Sequence, residues 1–170
     1  MKIIIDSRER SNFSIVKVLN EKKMEWCVKK LEYGDYSFEI NGESYEKKCV
    51  VERKMNLTEL SGNICQGRNR FEIEFCKGKA DNCEMTLLIE DLKAREKMKL
   101  RAQMDASGID WDTKFRKTWR TKCTGNSMIG SIKALRDRYN LNLVFCSKVR
   151  TASEMLRIFE EYLIKNRESI

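Results

Sequence analysis

The chain has 170 residues, which is enough for one domain with a substantial core. Hydrophobic residues make up 41% of it and charged residues 35%, so it is expected to fold rather than to remain disordered. The net charge is +8 and the isoelectric point is about 9.1, which favours a polyanionic partner such as nucleic acid; the alternative is a basic protein without such a partner.

Histidine is absent, which excludes histidine-based acid–base catalysis and histidine-containing triads. There are seven cysteines and no Cys-x-x-Cys motif, so we expect no structural zinc site and interpret the thiols as reduced core residues of a cytoplasmic protein. The apolar run at the N-terminus is too short for a signal peptide, and no run approaches membrane length. The sequence has no proline, repeat or low-complexity segment, so we expect a single domain over residues 1–170.

Hydrophobic periodicity predicts strands and helices in the alternating order of an α/β sheet protein. The predicted strands cover residues 3–5, 24–31, 36–40, 49–53, 85–90 and 141–146. The predicted helices begin after a cap at Ser11 or Ser14, at Asn56 or Thr58, near Phe71, near Met128, and at a capping box of Thr151 and Glu154.

The dipeptide Asn41-Gly42 predicts a β-hairpin between two of these strands. A tight turn would place Asp35 opposite Lys48, roughly 13 Å along the strand from Glu52. Both this register and direct opposition of Asp35 and Glu52 leave the two carboxylates on one face of the sheet. We expect a bulge or a longer loop to bring the two carboxylates together, as a shared metal would require.

The second strand of the hairpin ends in Glu52-Arg53-Lys54, directly after two buried β-branched residues. Because side chains alternate along a strand, Glu52 and Lys54 share one face and Arg53 points to the other. A carboxylate and an ammonium group at the end of a buried strand are costly to desolvate unless they have partners or a task. The alternative is an ordinary charged strand end.

Gly34-Asp35-Tyr36 followed by Val51-Glu52-Arg53-Lys54 resembles the nuclease motif of the XPF family of structure-specific DNA endonucleases, a variant of the restriction-endonuclease-like Asp…(Asp/Glu)-x-Lys site. Further matches to the family are Asp6-Ser7-Arg8-Glu9, Gly67-Arg68, Leu87-Leu88-Ile89-Glu90 and Arg150-Thr151-Ala152. The resemblance implies an α/β, restriction-endonuclease-like fold with a central mixed sheet flanked by helices.

One position departs from the family pattern. The family has an acidic residue followed by leucine four residues after the lysine of the motif, and Thr58 stands at that position here. Glu59-Leu60 follows one residue later. Either the acidic position is lost, or Glu59 serves it through a shift of one residue.

Phosphodiester hydrolysis needs an attacking hydroxide and a sink for charge on the phosphate, both of which a divalent metal supplies. We expect Mg²⁺ (or Mn²⁺) held by Asp35 and Glu52, with Lys54 orienting or deprotonating the water or stabilising charge. Asp6, Arg8 and Glu9 are expected to add a carboxylate and a phosphate-binding cation, the alternative being a solvated turn with a local ion pair. The expected catalytic set is Asp6, Arg8, Glu9, Asp35, Glu52, Arg53 and Lys54.

Residues 92–122 contain ten Lys and Arg against four Asp and Glu, a net +6. We interpret them as a basic arm that follows DNA phosphates. The aromatic residues of this arm are spaced i, i+4 and i+8, which also fits a helix packed on the core. The expected DNA-binding cations are Arg68, Arg70, Lys93, Lys97 and Lys99, and the aromatic residues are Trp111, Phe115 and Trp119.

The predicted C-terminal helix carries an apolar arc of about 160°, wider than the stripe of about 100° needed for one packing surface. We expect the edge formed by Met155, Ile158 and Tyr162 to remain for a two-fold dimer contact, and pairing through this region is also implied by the resemblance. The alternative is that the basic arm covers this edge.

The sequence thus predicts a metal-dependent DNA endonuclease, and the resemblance implies branched, flapped or nicked duplex DNA as its substrate. The alternatives are a catalytically inactive DNA-binding or partner subunit that kept the fold, and a resolvase or RNA-processing nuclease. Members of the family usually carry a helix-hairpin-helix module after the nuclease domain, and no such module is expected here, so a protein partner is expected to supply DNA specificity. The compact, Lys-rich form suits a phage or mobile-element protein.

Overall fold

The structure is a computed structural model that describes residues 1–91 and 125–167. The expectations for the basic arm and its DNA contacts lie outside the described residues, and so does one of the seven cysteines. The residues outside the described ranges that were named above are Lys93, Lys97, Lys99, Trp111, Phe115 and Trp119, and the cysteine is Cys123.

The described residues form seven strands and five α-helices, which follow the predicted order except for one additional short strand, Glu43–Ser44. The strands are β1 (Lys2–Asp6), β2 (Trp26–Lys29), β3 (Tyr36–Ile40), β4 (Glu43–Ser44), β5 (Cys49–Lys54), β6 (Glu84–Ile89) and β7 (Asn142–Phe145). The helices are α1 (Phe13–Glu21), α2 (Leu57–Cys65), α3 (Arg68–Ala80), α4 (Gly125–Tyr139) and α5 (Thr151–Arg167), with a 3-10 turn (Lys148–Arg150) before α5.

The sheet has the strand order β2-β1-β3-β5-β6-β7, and β4 pairs with β3 at the hairpin tip. Strand β1 runs parallel to β2, and β5, β6 and β7 run parallel to one another, whereas β3 is antiparallel to both β1 and β5. The C-terminal ends of β1, β5, β6 and β7 therefore lie at the same end of the sheet as the N-terminal end of β3. The expected mixed sheet is confirmed.

Helices cover both faces of the sheet, because neighbouring residues of the central strands point to opposite cores. Val50 packs with Leu87 and helices α2, α3 and α4, whereas Val51 packs with Leu88 and helices α1 and α5. This arrangement explains why residues 85–90 form a continuous apolar run rather than an alternating one.

Two of the predicted helix caps are not observed, although α5 does begin at the predicted Thr151. Helix α1 begins after Asn12 rather than at a serine cap. The backbone N–H of Ser11 instead donates to the Glu9 carboxylate, so Ser11 belongs to the preceding turn. Thr151 donates its hydroxyl to Glu90 Oε1 at 2.5 Å instead of forming the predicted capping box, and the chain enters α5 through the 3-10 turn. The cap at Asn56 is confirmed, because its side chain accepts a hydrogen bond from Glu59 N.

The expected free apolar edge of the C-terminal helix is not observed. Met155 is 0% exposed and Ile158 is 7% exposed. Tyr162 packs edge-on against Phe38 and Tyr45, with ring centroids 6.4 and 6.1 Å apart. Helix α5 lies against both the sheet and α1, so two surfaces, rather than one surface and a partner chain, account for the wide apolar arc.

The six described cysteines are all free thiols, but the expectation that they are core residues is only half right. Cys49 and Cys146 are buried, whereas Cys65 and Cys76 lie exposed on α2 and α3. Within the described ranges, no helix is long and apolar enough to cross a bilayer.

Candidate active site

The hairpin uses two registers, and the change between them brings the two acidic residues of the motif together. At the tip Ile40 pairs with Glu43, as the tight Asn41-Gly42 turn requires. A tight hairpin would pair Tyr36 with Lys47, but Val51 occupies that place, four residues further on. The prediction that extra residues close the gap is confirmed.

The extra residues lie beyond the turn rather than within it. They form a local turn after β4, in which the Tyr45 carbonyl accepts hydrogen bonds from the backbone N–H groups of Lys48 and Cys49. The hairpin tip stays tight because Asn41 and Gly42 both adopt the positive φ angles that such a turn needs, 51° and 85°.

Asp35 is fixed beside the end of β5 by backbone contacts. Its N–H donates to the Val51 carbonyl at 2.9 Å, and its Oδ2 accepts from Arg53 N at 2.8 Å. Gly34 makes this close approach possible, since its φ is +74° and a Cβ there would lie 3.0 Å from Val50 Cβ. The carboxylate of Asp35 is thereby held next to Glu52.

Glu52 and Lys54 form a buried ion pair on the α2 and α3 side of the sheet. Lys54 Nζ lies 2.7 Å from Glu52 Oε1, and the side chains are only 8% and 7% exposed, respectively. The ammonium group also lies over the ring of Phe71, 4.9 Å from its centroid. Both charges are thus partnered within the fold.

The electrostatics of the site are dominated by burial and by the proximity of like charges. Burial raises the pKa of Asp35 well above its usual value, and the neighbouring Glu52 charge adds to the effect. Burial also raises the pKa of Glu52, against the opposing effect of Lys54. Burial acts to lower the pKa of Lys54, but Glu52 and Asp35 outweigh it, so that pKa is raised and Lys54 is a cation at neutral pH.

Asp35, Glu52 and Lys54 line a groove of about 410 Å³ at this end of the sheet. Helices α2 and α3 form its other wall and contribute side chains that sequence reasoning did not assign to the site. The groove is lined by Arg8, Asp35, Glu52, Lys54, Asn63, Arg70, Phe71 and Glu74.

Two of the unassigned residues had a signal in the sequence. Glu74 lies one helical turn after Arg70, which was expected to contact DNA, and the same turn contains Phe71. Asn63 is a polar residue between Leu60 and Ile64 of the apolar stripe of α2. Neither position could be placed in the groove without the packing of the two helices against β5.

Asp6 and Arg8 have different roles in the structure. The Asp6 carboxylate accepts hydrogen bonds from Arg8 N (2.7 Å), Arg8 Nε (2.8 Å) and Leu31 N (2.6 Å) and does not line the groove. Burial acts to raise the pKa of Asp6, but these bonds outweigh it and hold that pKa below its usual value. The expected second carboxylate is thus occupied in orienting Arg8, whose Nη1 lies 3.3 Å from Glu74 Oε1 at the groove.

Arg53 points to the opposite face of β5, as the strand alternation predicts. Its Nε donates to Glu90 Oε1 at 2.8 Å and its Nη1 donates to the Ser11 carbonyl at 3.0 Å. Glu9 lies 3.6 Å from the same guanidinium. Arg53 and Glu9 therefore connect the first loop to the central strands, and both line an adjoining cavity that also contacts Asp35 and Lys54.

Between Thr58 and Glu59, the structure places Glu59 nearer to the site. Glu59 Oε1 is 4.0 Å from Lys54 Nζ, and its Oε2 accepts from Met55 N, whereas Thr58 is exposed. Arg68 lies outside the groove and pairs with Glu72 at 2.6 Å.

The donor set fits a hard divalent cation with few protein ligands. In residues 1–91 and 125–167, no group of three or more acidic or thiol side chains gathers in a metal-binding arrangement. Asp35 and Glu52 supply two carboxylates, and Asn63, which also lines the groove, has a buried Oδ1 without a hydrogen-bond partner among the described residues. Magnesium commonly binds through one or two carboxylates and keeps several waters, so these oxygens suit it.

A mixed sheet covered by helices on both faces, with two carboxylates and a lysine at the end of a hairpin strand, defines a restriction-endonuclease-like α/β fold. The model of the ERCC4 domain family matches residues 5–159. The chain therefore belongs to the ERCC4 domain family, and its fold is that of an XPF-type nuclease domain.

Solved structures with this fold include XPF from Aeropyrum pernix, with a TM-score of 0.62 and 15% identity over 99% of this chain and 68% of that chain. XPF from the same organism in complex with DNA gives a TM-score of 0.61 and 14% identity over 96% of this chain and 66% of that chain. The chain thus spans about two thirds of the XPF chains that it resembles. The comparison with curated proteins gave no match.

Proposed function

We propose that the protein is a metal-dependent endonuclease that cleaves DNA. The observation that carries the proposal is the grouping of Asp35, Glu52 and Lys54 in an open groove bordered by two arginines. Arg8 and Arg70 supply cations where a phosphate backbone would enter, and the net charge of +8 favours the same polyanion. One of the similar XPF structures is a complex with DNA, which supports DNA as the substrate.

Asp35 and Glu52 are the residues that would hold Mg²⁺ or Mn²⁺. When bound, the cation supplies Lewis acidity at the phosphate and lowers the pKa of a water molecule. Burial raises the pKa of both carboxylates, and the charge of Glu52 adds to the effect at Asp35, so a cation bound here would favour their ionised forms.

Lys54 acts as a fixed cation rather than as a general base in this proposal. The charges of Glu52 and Asp35 raise the pKa of Lys54 against the effect of burial, so the ammonium group is charged at neutral pH. Held by Glu52 and Phe71, it stabilises negative charge that develops on the phosphate oxygens.

The experiment that tests the function compares substrates with the same sequence and different shapes. Flapped, nicked, Holliday-junction and linear duplex DNA, together with an RNA duplex, are end-labelled and incubated with the protein and Mg²⁺ or Mn²⁺. We expect cleavage of the branched, flapped or nicked DNA, and no cleavage by Glu52→Gln. Binding without cleavage in every condition would instead identify an inactive DNA-binding subunit, and cleavage of RNA alone would identify an RNA-processing nuclease.

Self-association and a specificity partner are further parts of the proposal. Pairing of XPF-type nuclease domains supports a homodimer, but the buried edge of α5 does not supply its contact surface. Light scattering behind a sizing column tests this, because the monomer mass is 20.1 kDa. A cytoplasmic or nucleoid location follows from a DNA substrate.

A further inference from the structure

Asn63 is a residue of the groove whose chemistry the proposed function leaves unused. It lies on α2 and lines the groove together with Asp35, Glu52 and Lys54. Its Oδ1 atom is buried and has no hydrogen-bond partner among residues 1–91 and 125–167.

A buried amide oxygen without a partner is unfavourable, and native structures usually satisfy such atoms. The other buried side-chain atoms that lack a partner in the described residues belong to Tyr36, Arg53 and Glu90. Arg53 and Glu90 bond to each other behind the groove, and Tyr36 lies in the core on that same side of the sheet. Among these residues of the described part of the chain, Asn63 is thus the one that lines the groove.

The neighbouring groups show what kind of ligand this oxygen suits. The cation nearest to the two acidic residues, Lys54, already bonds to Glu52 Oε1. An amide oxygen can only accept hydrogen bonds or coordinate a cation, and carboxylate and amide oxygens are the ligands preferred by hard divalent ions. The two carboxylates provide only two protein ligands, so a third protein oxygen has a place in the same coordination shell.

We propose that Asn63 is a further cation-binding residue, whose carboxamide oxygen joins Asp35 and Glu52 in holding the divalent ion, directly or through one water molecule. This inference rests on the proposed function, since it assigns a ligand to the same site. It makes α2 part of the metal site, alongside the two hairpin strands.

The test is Mn²⁺ binding by the full chain without DNA, measured by titration calorimetry and by electron paramagnetic resonance of free Mn²⁺. We expect Asn63→Ala to weaken Mn²⁺ binding by about tenfold or more, within the range seen when residues around a metal are removed. Asn63→Asp keeps an oxygen at this position and is expected to bind Mn²⁺ at least as tightly as the wild type. The matched control is Asn69→Ala, because Asn69 is exposed on α3 and lies outside the groove.

The outcomes separate this inference from the proposed function. If the wild type binds no Mn²⁺, or if Glu52→Gln binds it equally well, the cation site itself is wrong. If Glu52→Gln loses the ion while Asn63→Ala binds as the wild type does, the site stands and the role of Asn63 is wrong. Asn63→Asp decides the matter if the alanine variant does not fold, since markedly weaker binding by a folded aspartate variant would overturn the assignment.

Discussion

The guanidinium group of Arg53 donates from Nε to Oε1 of Glu90 at 2.8 Å, and both side chains are 1% exposed. This pair joins the ends of β5 and β6 directly behind the candidate active site. Glu90 Oε1 also accepts from the Thr151 hydroxyl, so the same carboxylate ties the start of α5 to the sheet. Arg53 thus positions the strand that carries Glu52 and Lys54, and its own side chain lies behind the groove.

We predict that Arg53 and Glu90 are strongly coupled in stability. Removing one partner of a buried ion pair leaves an uncompensated charge, so Arg53→Met is expected to lower the free energy of unfolding by about 3–5 kcal/mol. The double variant Arg53→Met/Glu90→Leu should lose less than the sum of the two single changes. Urea unfolding of all four proteins measures the coupling.

The exposed pair Arg157 and Glu161 is the matched control, and its coupling energy should be about 0–1 kcal/mol. Additive losses at Arg53 and Glu90 would contradict the assigned role.

The second prediction concerns the carboxylates of the groove. Glu52→Gln and Asp35→Asn are expected to abolish Mg²⁺- or Mn²⁺-dependent cleavage and to leave DNA affinity within about twofold, because affinity rests mainly on cations. Cleavage assays and fluorescence anisotropy on the same labelled DNA measure the two properties. Glu43→Gln at the exposed hairpin tip is the control and should cleave normally. Cleavage at the wild-type rate by either groove variant would end the assignment.

The third prediction concerns Arg70, which lies exposed at the border of the groove. If it contacts one phosphate, Arg70→Gln should weaken binding to all DNA sequences alike and reduce the slope of log affinity against log salt by about 0.9. Lys17→Gln is the matched control, since Lys17 lies on α1 on the other side of the sheet. Equal slopes for Arg70→Gln and the wild type would show that Arg70 does not touch the backbone.

The fourth prediction follows from the pKa of Glu72. The hydroxyl of Tyr139 donates to the Glu72 carboxylate at 2.5 Å, and Arg68 and Arg138 form ion pairs with it. These contacts lower the pKa of Glu72 below its usual value, because they outweigh the opposing effect of burial. A group with a lowered folded pKa stabilises the fold above its unfolded value, about 4.3, and loses that contribution as the pH falls through the folded pKa. Glu72→Gln should therefore be less stable by about 1 kcal/mol at pH 7, and the difference should close in acid.

Thermal unfolding between pH 7 and pH 3 measures this effect. Glu160→Gln on the exposed side of α5 is the control and should follow the wild type throughout. A gap between Glu72→Gln and the wild type that stays constant over this range would mean that the Glu72 carboxylate is not the titrating group.

The fifth prediction uses the two isoleucines of α5. Ile158 is 7% exposed in the core between α5 and the sheet, whereas Ile164 is 63% exposed. Ile158→Glu buries a charge and is expected to destabilise the domain by more than about 3 kcal/mol, whereas Ile164→Glu should change its stability by less than about 0.5 kcal/mol. Melting temperatures and sizing chromatography distinguish unfolding from dissociation. A folded, monomeric Ile158→Glu variant of a dimeric wild type would restore the original interpretation of this edge.

Sequence patterns correctly predicted the features that are determined by residues close together in the chain. Alternation placed Glu52 and Lys54 on one face and Arg53 on the other, and the Asn41-Gly42 turn is as tight as its residues require. The distance between Asp35 and Glu52 depends on the turn after β4, for which the sequence offers no comparably strong signal. A shared metal led us to expect that the gap closes, but the sequence did not indicate where the additional residues would lie.

Other misses arise from contacts between segments that are far apart in the chain. Asp6 was expected to serve the site, but a hydrogen bond from Leu31 N, 25 residues away, and bonds from Arg8 occupy its oxygens. Asn63 and Glu74 reach the groove only because α2 and α3 pack on β5. The apolar arc of α5 was interpreted against a single packing surface, whereas α1 supplies a second one.

The two registers of β3 make the hairpin tip a separate module. Pairing at Tyr36 and Val51 is set on one side of the local turn after β4, and pairing at Ile40 and Glu43 is set on the other. Changes in length or composition at the Asn41-Gly42 tip therefore leave the spacing of Asp35 and Glu52 untouched. The tip is accordingly a suitable point for inserting a peptide tag or attaching a fluorophore, so that DNA engagement can be followed in a protein whose chemistry is intact.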